Sequence, residues 1–118
     1  MRPVLISAML VSNSYNAVAA TADAMQPTFG NTVVLVGADK LQTYTQFNAD
    51  GTFVGRIPSL NYLYNGTWKI DSSGNLCRWF ALPVPNRAQP ECNSFTTHSV
   101  GDTWSAGSVT ISIVQGTL

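Results

Sequence analysis

From Thr32 to the end of the chain, apolar and polar residues alternate one by one in short runs. This is the two-residue period of strands that bury one face, and no stretch shows the longer period of an amphipathic helix. The runs are "TVVLVG" (32–37), "LQTYTQFN" (41–48), "TFVGRI" (52–57), "YNGTWKI" (64–70), "NLCRWFA" (75–81), "NSFTTH" (93–98), "TWSA" (103–106) and "VTISIV" (109–114). They favour β-branched and aromatic residues, which fit a pleated, half-buried surface. Turn residues separate nearly all of them. "NADG" (48–51) and "DSSG" (71–74) have the form of a type I turn closed by a left-handed glycine; "GADK" and "VGDT" are weaker versions. Asn65-Gly66 is kept inside a strand, because a turn there would leave too little strand before Trp68. "FNADGTF" and "IDSSGNL" share one order of residue types, which is hairpin chemistry recurring and not a duplicated domain. The pattern predicts an all-β fold: a small antiparallel up-and-down barrel or half-barrel of about 7–8 strands, with a two-sheet β-sandwich as the alternative.

The two good turns also set the register. If Asp71 lies opposite Asn75, then Ile70 faces Leu76, Trp68 faces Arg78 and Gly66 faces Phe80 on one side of the sheet, while Lys69 with Cys77 and Thr67 with Trp79 lie on the other. The same logic at "NADG" places Phe47 beside Phe53 on one face and Tyr44 beside Arg56 on the opposite one.

The beginning of the chain reads differently. Arg2, the apolar run "VLISAMLV" (4–11) and the small residues of "NAVAA" (16–20) form the three parts of a signal peptide, with cleavage near Ala20 or Thr21. The run is far shorter than the roughly 20 residues that span a bilayer. The expected organisation is therefore a cleaved signal over 1–20, a flexible segment over 21–30 and a single β-domain over 31–118, in a periplasmic or secreted protein. A mature chain of about 98 residues benefits from a covalent staple. Cys77 and Cys92 are the only cysteines, and the oxidising compartment pairs them as a disulfide. The segment between them, "LPVPNRAQPE" (82–91), carries Pro83, Pro85 and Pro90, too many for a central strand. It is expected to be a stiff flap tied down by the disulfide, with Trp79 at its base.

Charge removes several function classes. Apart from Arg2, the five basic residues (Lys40, Arg56, Lys69, Arg78, Arg87) and six acidic ones (Asp23, Asp39, Asp50, Asp71, Glu91, Asp102) are scattered singly. No basic stripe is present to hold phosphates, which argues against nucleic acid, and no polybasic or amphipathic helix invites a membrane surface. His98 is the only histidine. Asp102 lies four residues on, across a turn, but no motif marks a nucleophile, and a strand-end histidine capping a turn explains the pair. No set of ligands has the spacing of a zinc or calcium site. Asn65-Gly-Thr is formally a glycosylation sequon, placed in a strand. The chain is read as non-enzymatic and without a cofactor.

Arg78 is the exception among apolar neighbours. As a plug it would stack its guanidinium on the Trp68 indole; as an anion hook it would grip a ligand carboxylate bidentately. "NGTW" (65–68) resembles the Gly-x-Trp of lipocalins, in which an arginine covers a tryptophan at the barrel base. The wider pattern from Phe47 to Cys77 is similar to small exported bacterial proteins with lipocalin-like barrels. The same build, a small barrel with one disulfide, is similar to bacterial inhibitors of secreted proteases and lysozymes. The resemblance implies a binding domain for a small or medium apolar or carboxylate ligand in the barrel interior or at its rim. The candidate ligand-binding residues are Tyr44, Tyr64, Trp68 and Arg78, drawn from an aromatic stock that includes Tyr62, Trp79 and Trp104. The alternative is a protein-interaction module, an inhibitor or envelope accessory factor, acting through loop 82–91.

Overall fold

The computed structural model describes residues 22–82 and 89–118; the expected signal segment 1–20 and the proline-rich middle of loop 82–91 lie outside the described residues. Eight strands follow one another: β1 (Thr32–Val36), β2 (Gln42–Phe47), β3 (Thr52–Ile57), β4 (Tyr62–Ile70), β5 (Asn75–Phe80), β6 (Glu91–Ser94), β7 (Thr103–Ala106) and β8 (Val109–Val114). All belong to one antiparallel sheet in the order β6-β5-β4-β3-β2-β1-β8-β7. Every chain neighbour pairs with the next except β6 and β7, and β1 pairs with β8. The meander is thus joined through its first and last strands and stays open between β6 and β7, a curled half-barrel and not a two-sheet sandwich.

The hairpins form where short polar side chains hold the turns. At 48–51 the Gly51 N–H donates to the Asn48 carbonyl at 3.1 Å, and Asp50 Oδ1 accepts the Thr52 N–H at 2.9 Å. At 71–74 the Gly74 N–H donates to the Asp71 carbonyl at 3.1 Å, while Asp71 Oδ1 accepts the N–H groups of Ser73 and Asn75 at 2.9 and 2.8 Å. Gly51 and Gly74 have φ of +91° and +82°, the left-handed region that a residue with a Cβ enters only at a cost. In "GADK" that position falls on Lys40, at φ +68°. β7 and β8 meet through the two-residue turn Gly107-Ser108, closed by the Ala106–Val109 pair.

Both predicted registers are found. Ile70–Leu76, Trp68–Arg78 and Gly66–Phe80 are cross-strand pairs, as are Phe47–Phe53 and Tyr44–Arg56. Asn65 and Gly66 lie inside β4.

Two local features go beyond the strand pattern. The segment 21–30 contains a 3₁₀ helix, Ala22–Thr28, whose Met25 is wholly buried and whose Thr28 is nearly so. Met25 belongs to a core with Val33, Phe47, Phe53 and Trp68, so apolar burial orders a stretch that has no strand pattern. The sixth strand starts earlier than "NSFTTH": Glu91 and Cys92 are in β6, and 95–98 is not strand. Cys92 is drawn in because it sits directly opposite Cys77 on paired strands, with Cα atoms 4.0 Å apart and a disulfide between them. The bridge joins neighbouring strands instead of reaching across a loop.

Candidate ligand-binding cavity

Alternation decides what enters the curl. β4 turns Tyr62, Tyr64, Gly66, Trp68 and Ile70 inward, and β5 adds Leu76, Arg78 and Phe80 through its pairing with β4. Two inward glycines let aromatic rings cross the strands. A Cβ on Gly55 would lie 2.2 Å from Tyr64 Cε1, so the Tyr64 ring occupies the place a side chain would take. A Cβ on Gly66 would lie 1.9 Å from the Trp79 carbonyl oxygen and 2.9 Å from Phe53 Cζ. Phe53 and Phe80, which flank Gly66 on either side, meet edge-on at 5.5 Å. Aromatics laid over glycines in this way support the bending of a sheet.

One end of the half-barrel is filled. The Trp68 ring packs on Phe29 and Phe47 at centroid distances of 5.9 and 6.3 Å. Its backbone N–H donates to the Gly51 carbonyl at 2.8 Å and its indole N–H to the Asn48 carbonyl at 2.9 Å. Trp68 therefore clamps the β2–β3 turn from two sides.

Above this floor the concave face is hollow. A cavity of about 480 Å³ next to the filled end is walled by Val33, Phe47, Trp104, Ile111 and Ile113. A second, of about 860 Å³, runs to the opposite end past Ile57, Tyr64 and Phe80, with Leu60, Leu63 and Leu82 at its rim. Both fall within the roughly 300–1,000 Å³ of small-molecule sites. Leu35, Thr45, Arg78, Asn93 and Val109 line both, so the cavities meet there. Leu63 and Leu82 are 76% and 80% exposed, an apolar mouth.

The meeting point holds the polar groups. Arg78 Nη2 contacts Glu91 Oε1 directly, the two side chains being 17% and 22% exposed. The guanidinium carbon lies 5.1 Å from the centre of the Phe80 ring. The hydroxyls of Tyr64 and Thr45 share a hydrogen bond of 2.7 Å. Burial pushes the Tyr64 phenol above its ordinary value, against the opposing effects of the Thr45 hydrogen bond and the Arg78 charge, so at neutral pH the hydroxyl keeps its proton.

The four residues singled out from sequence separate. Tyr64 and Arg78 line the cavity. Trp68 is buried in the filled end. Arg78 shares its face and faces it in register, but the guanidinium covers Phe80 and pairs with Glu91 in place of stacking on the indole. Tyr44 is on the convex side, where Arg56 lies 5.3 Å over its ring and its hydroxyl donates to Gln42 Oε1 at 3.0 Å. Thr45, Glu91 and Asn93 were not singled out. A signal for Glu91 existed: in an antiparallel ladder, pairing Cys77 with Cys92 places Arg78 opposite Glu91.

Other chemistry-bearing groups are tied into the scaffold. The His98 ring stacks on Trp104 at 3.5 Å, its Nε2 is 2.8 Å from Thr96 Oγ1, and its Nδ1 is 3.7 Å from Asp102 Oδ2. That oxygen also accepts the Ser99 N–H at 2.8 Å, so the histidine braces the connection between β6 and β7. Among the described residues one group of potential metal ligands gathers, Asp71, Cys77 and Cys92, and two of its three members are bonded to each other. Also among the described residues, no helix is long and apolar enough to cross a membrane. Comparison with protein-family models, with curated proteins and with solved structures returns no match.

Proposed function

We propose that the protein is a non-enzymatic exported binding domain that holds a small or medium-sized, largely apolar ligand inside the half-barrel. One observation carries the reading: the concave face is left hollow above a packed floor, with apolar walls converging on a few polar groups at Arg78. Such a site takes its affinity from burying apolar surface and its selectivity from the polar centre. The disulfide and the signal-like start of the chain support export to the periplasm or the exterior. A carboxylate ligand, as an anion hook would require, must compete with Glu91 for Arg78.

The exposed leucines at the mouth favour a second reading, in which Leu60, Leu63 and Leu82 meet a protein partner beside loop 82–91. Native mass spectrometry of the protein isolated from its own compartment separates the two, since a retained small molecule supports the first and a co-purifying protein the second. Titration with a fluorescent apolar dye should show saturable one-to-one binding that Val109→Trp abolishes with the fold intact, because Val109 lines both cavities. Absence of saturable binding to the unaltered chain overturns the cavity reading.

A further inference from the structure

The point where the two cavities meet is polar and holds an ion pair. Arg78 and Glu91 face each other across β5 and β6, largely withdrawn from water, and are in direct contact. Asn93, two residues beyond Glu91 on the same face of β6, lines both cavities. The Tyr64–Thr45 hydrogen bond completes a band of hydroxyl, carboxamide and paired charges. On either side the walls turn apolar, with Val33, Phe47 and Ile113 in one lobe and Ile57 and Phe80 in the other.

A ligand carboxylate fits this band poorly. To reach Arg78 it would lie beside the Glu91 carboxylate, and two like charges in a partly dry site oppose one another. An uncharged group meets no such opposition. A guanidinium has five N–H donors, and Arg78 uses one contact on Glu91, so a ligand carbonyl can accept another N–H with the ion pair intact. The Asn93 carboxamide oxygen can accept an N–H or O–H from the same ligand group. With the polar band in the middle and an apolar lobe on each side, the ligand's polar group belongs in its middle too.

Building on the reading of the cavity as a ligand site, we propose that its ligand is a neutral molecule with two apolar arms joined by an uncharged amide or hydroxyl-bearing centre, the arms filling the two lobes and the centre held at Arg78 and Asn93 beside Glu91. The site selects against fatty acids and other terminal carboxylates. Glu91 sets this selectivity by neutralising Arg78.

The test compares three probes of matched size on the full chain, each displacing a bound apolar dye at a pH of about 8, where a carboxylic acid is ionised. N-hexylhexanamide carries a neutral centre, dodecanamide a neutral end and dodecanoate an anionic end. N-hexylhexanamide should displace the dye at a concentration about tenfold below that of dodecanoate, a difference of about 1.4 kcal/mol. In Glu91→Gln the preference should shrink or reverse, with dodecanoate gaining about tenfold as Arg78 loses its counter-charge. Asn93→Ala, on the short edge strand, should weaken the amide and leave dodecanoate unchanged. Dodecanoate binding the unaltered protein as tightly as the amide overturns the proposal without recourse to any variant, and dodecanamide binding more tightly than N-hexylhexanamide overturns the central position of the polar group. A protein that binds the dye but shows either pattern keeps its cavity function and loses only this ligand class, whereas failure to bind the dye removes the cavity reading itself.

Discussion

Gly66 shows how little freedom a single position has at the bend of the sheet. It lies between Phe53 and Phe80, and the nearest obstacle to a Cβ is backbone, the Trp79 carbonyl oxygen, which cannot rotate away as a side chain could. Gly66→Ala should therefore cost about 1–3 kcal/mol, the usual range for overpacking, read as a lower urea midpoint. The two faces of the sheet should respond differently to charge. Phe53 is wholly buried, so Phe53→Asp should unfold the domain by placing an unpaired charge in the core, whereas Lys69 is exposed and Lys69→Asp should shift the midpoint little. Equal damage from these two changes would contradict the inward and outward assignment on which the cavity depends.

At the scale of the element, the hairpins bring their own electrostatics. Asp71 is held below its ordinary carboxylate value first by the backbone N–H of Asn75, and Asp50 first by its hydrogen bonds to Thr52. In both the ionised form is favoured by folding. A carboxyl whose pKa is depressed in the folded state contributes stability that is complete above its unfolded value and disappears as pH falls through the folded one. The urea midpoint should thus be level from neutral pH to about 5 and drop below about 4. Asp71→Ala should lower the midpoint at neutral pH and flatten the acid drop, since the group that titrates is gone. A variant that loses stability as steeply as the parent below pH 4 would show that the turn carboxylate does not govern the acid limb. The N-terminal 3₁₀ helix belongs to this scale as well, because its Met25 packs into the same core as Phe47 of β2 and Trp68 of β4.

On the scale of the whole molecule, the half-barrel has two weak margins, β6 and β7, each four residues long and paired on one side only. β6 is held by the Cys77–Cys92 bridge and the Arg78–Glu91 pair, with Gln89 extending the contact by exchanging 3.0 Å hydrogen bonds with the Phe80 backbone. Hydrogen exchange should be slower in the strands paired on both sides, β1 to β5 and β8, and fastest at β6 and β7. Reducing the disulfide should speed exchange in β6 selectively, because the bridge pins this edge strand to β5. Uniform loss of protection across all strands would mean that the bridge holds the whole barrel and not its margin.

The strands other than β6, the inner and outer faces and the disulfide were legible in the chain, because a two-residue period, asparagine and aspartate turns and paired cysteines act over a few residues and need no knowledge of the rest. Phe53 inward, Lys69 outward and Trp68 opposite Arg78 all follow from counting outward from Gly51 and Gly74. Other features depended on which strands become neighbours across the fold. Alternation could place Trp68 and Arg78 on one face, but the curl of the sheet and the position of β6 decided that Arg78 would turn to Glu91 and Phe80 while Trp68 sealed the floor with Phe29 and Phe47. The sequence likewise contains Met25 without any sign of its burial, since that depends on a space between β1, β2 and β4 which exists only after they have curled. A hollow interior is the same kind of property: it is the volume that distant side chains leave unfilled, and only their joint arrangement in three dimensions determines it.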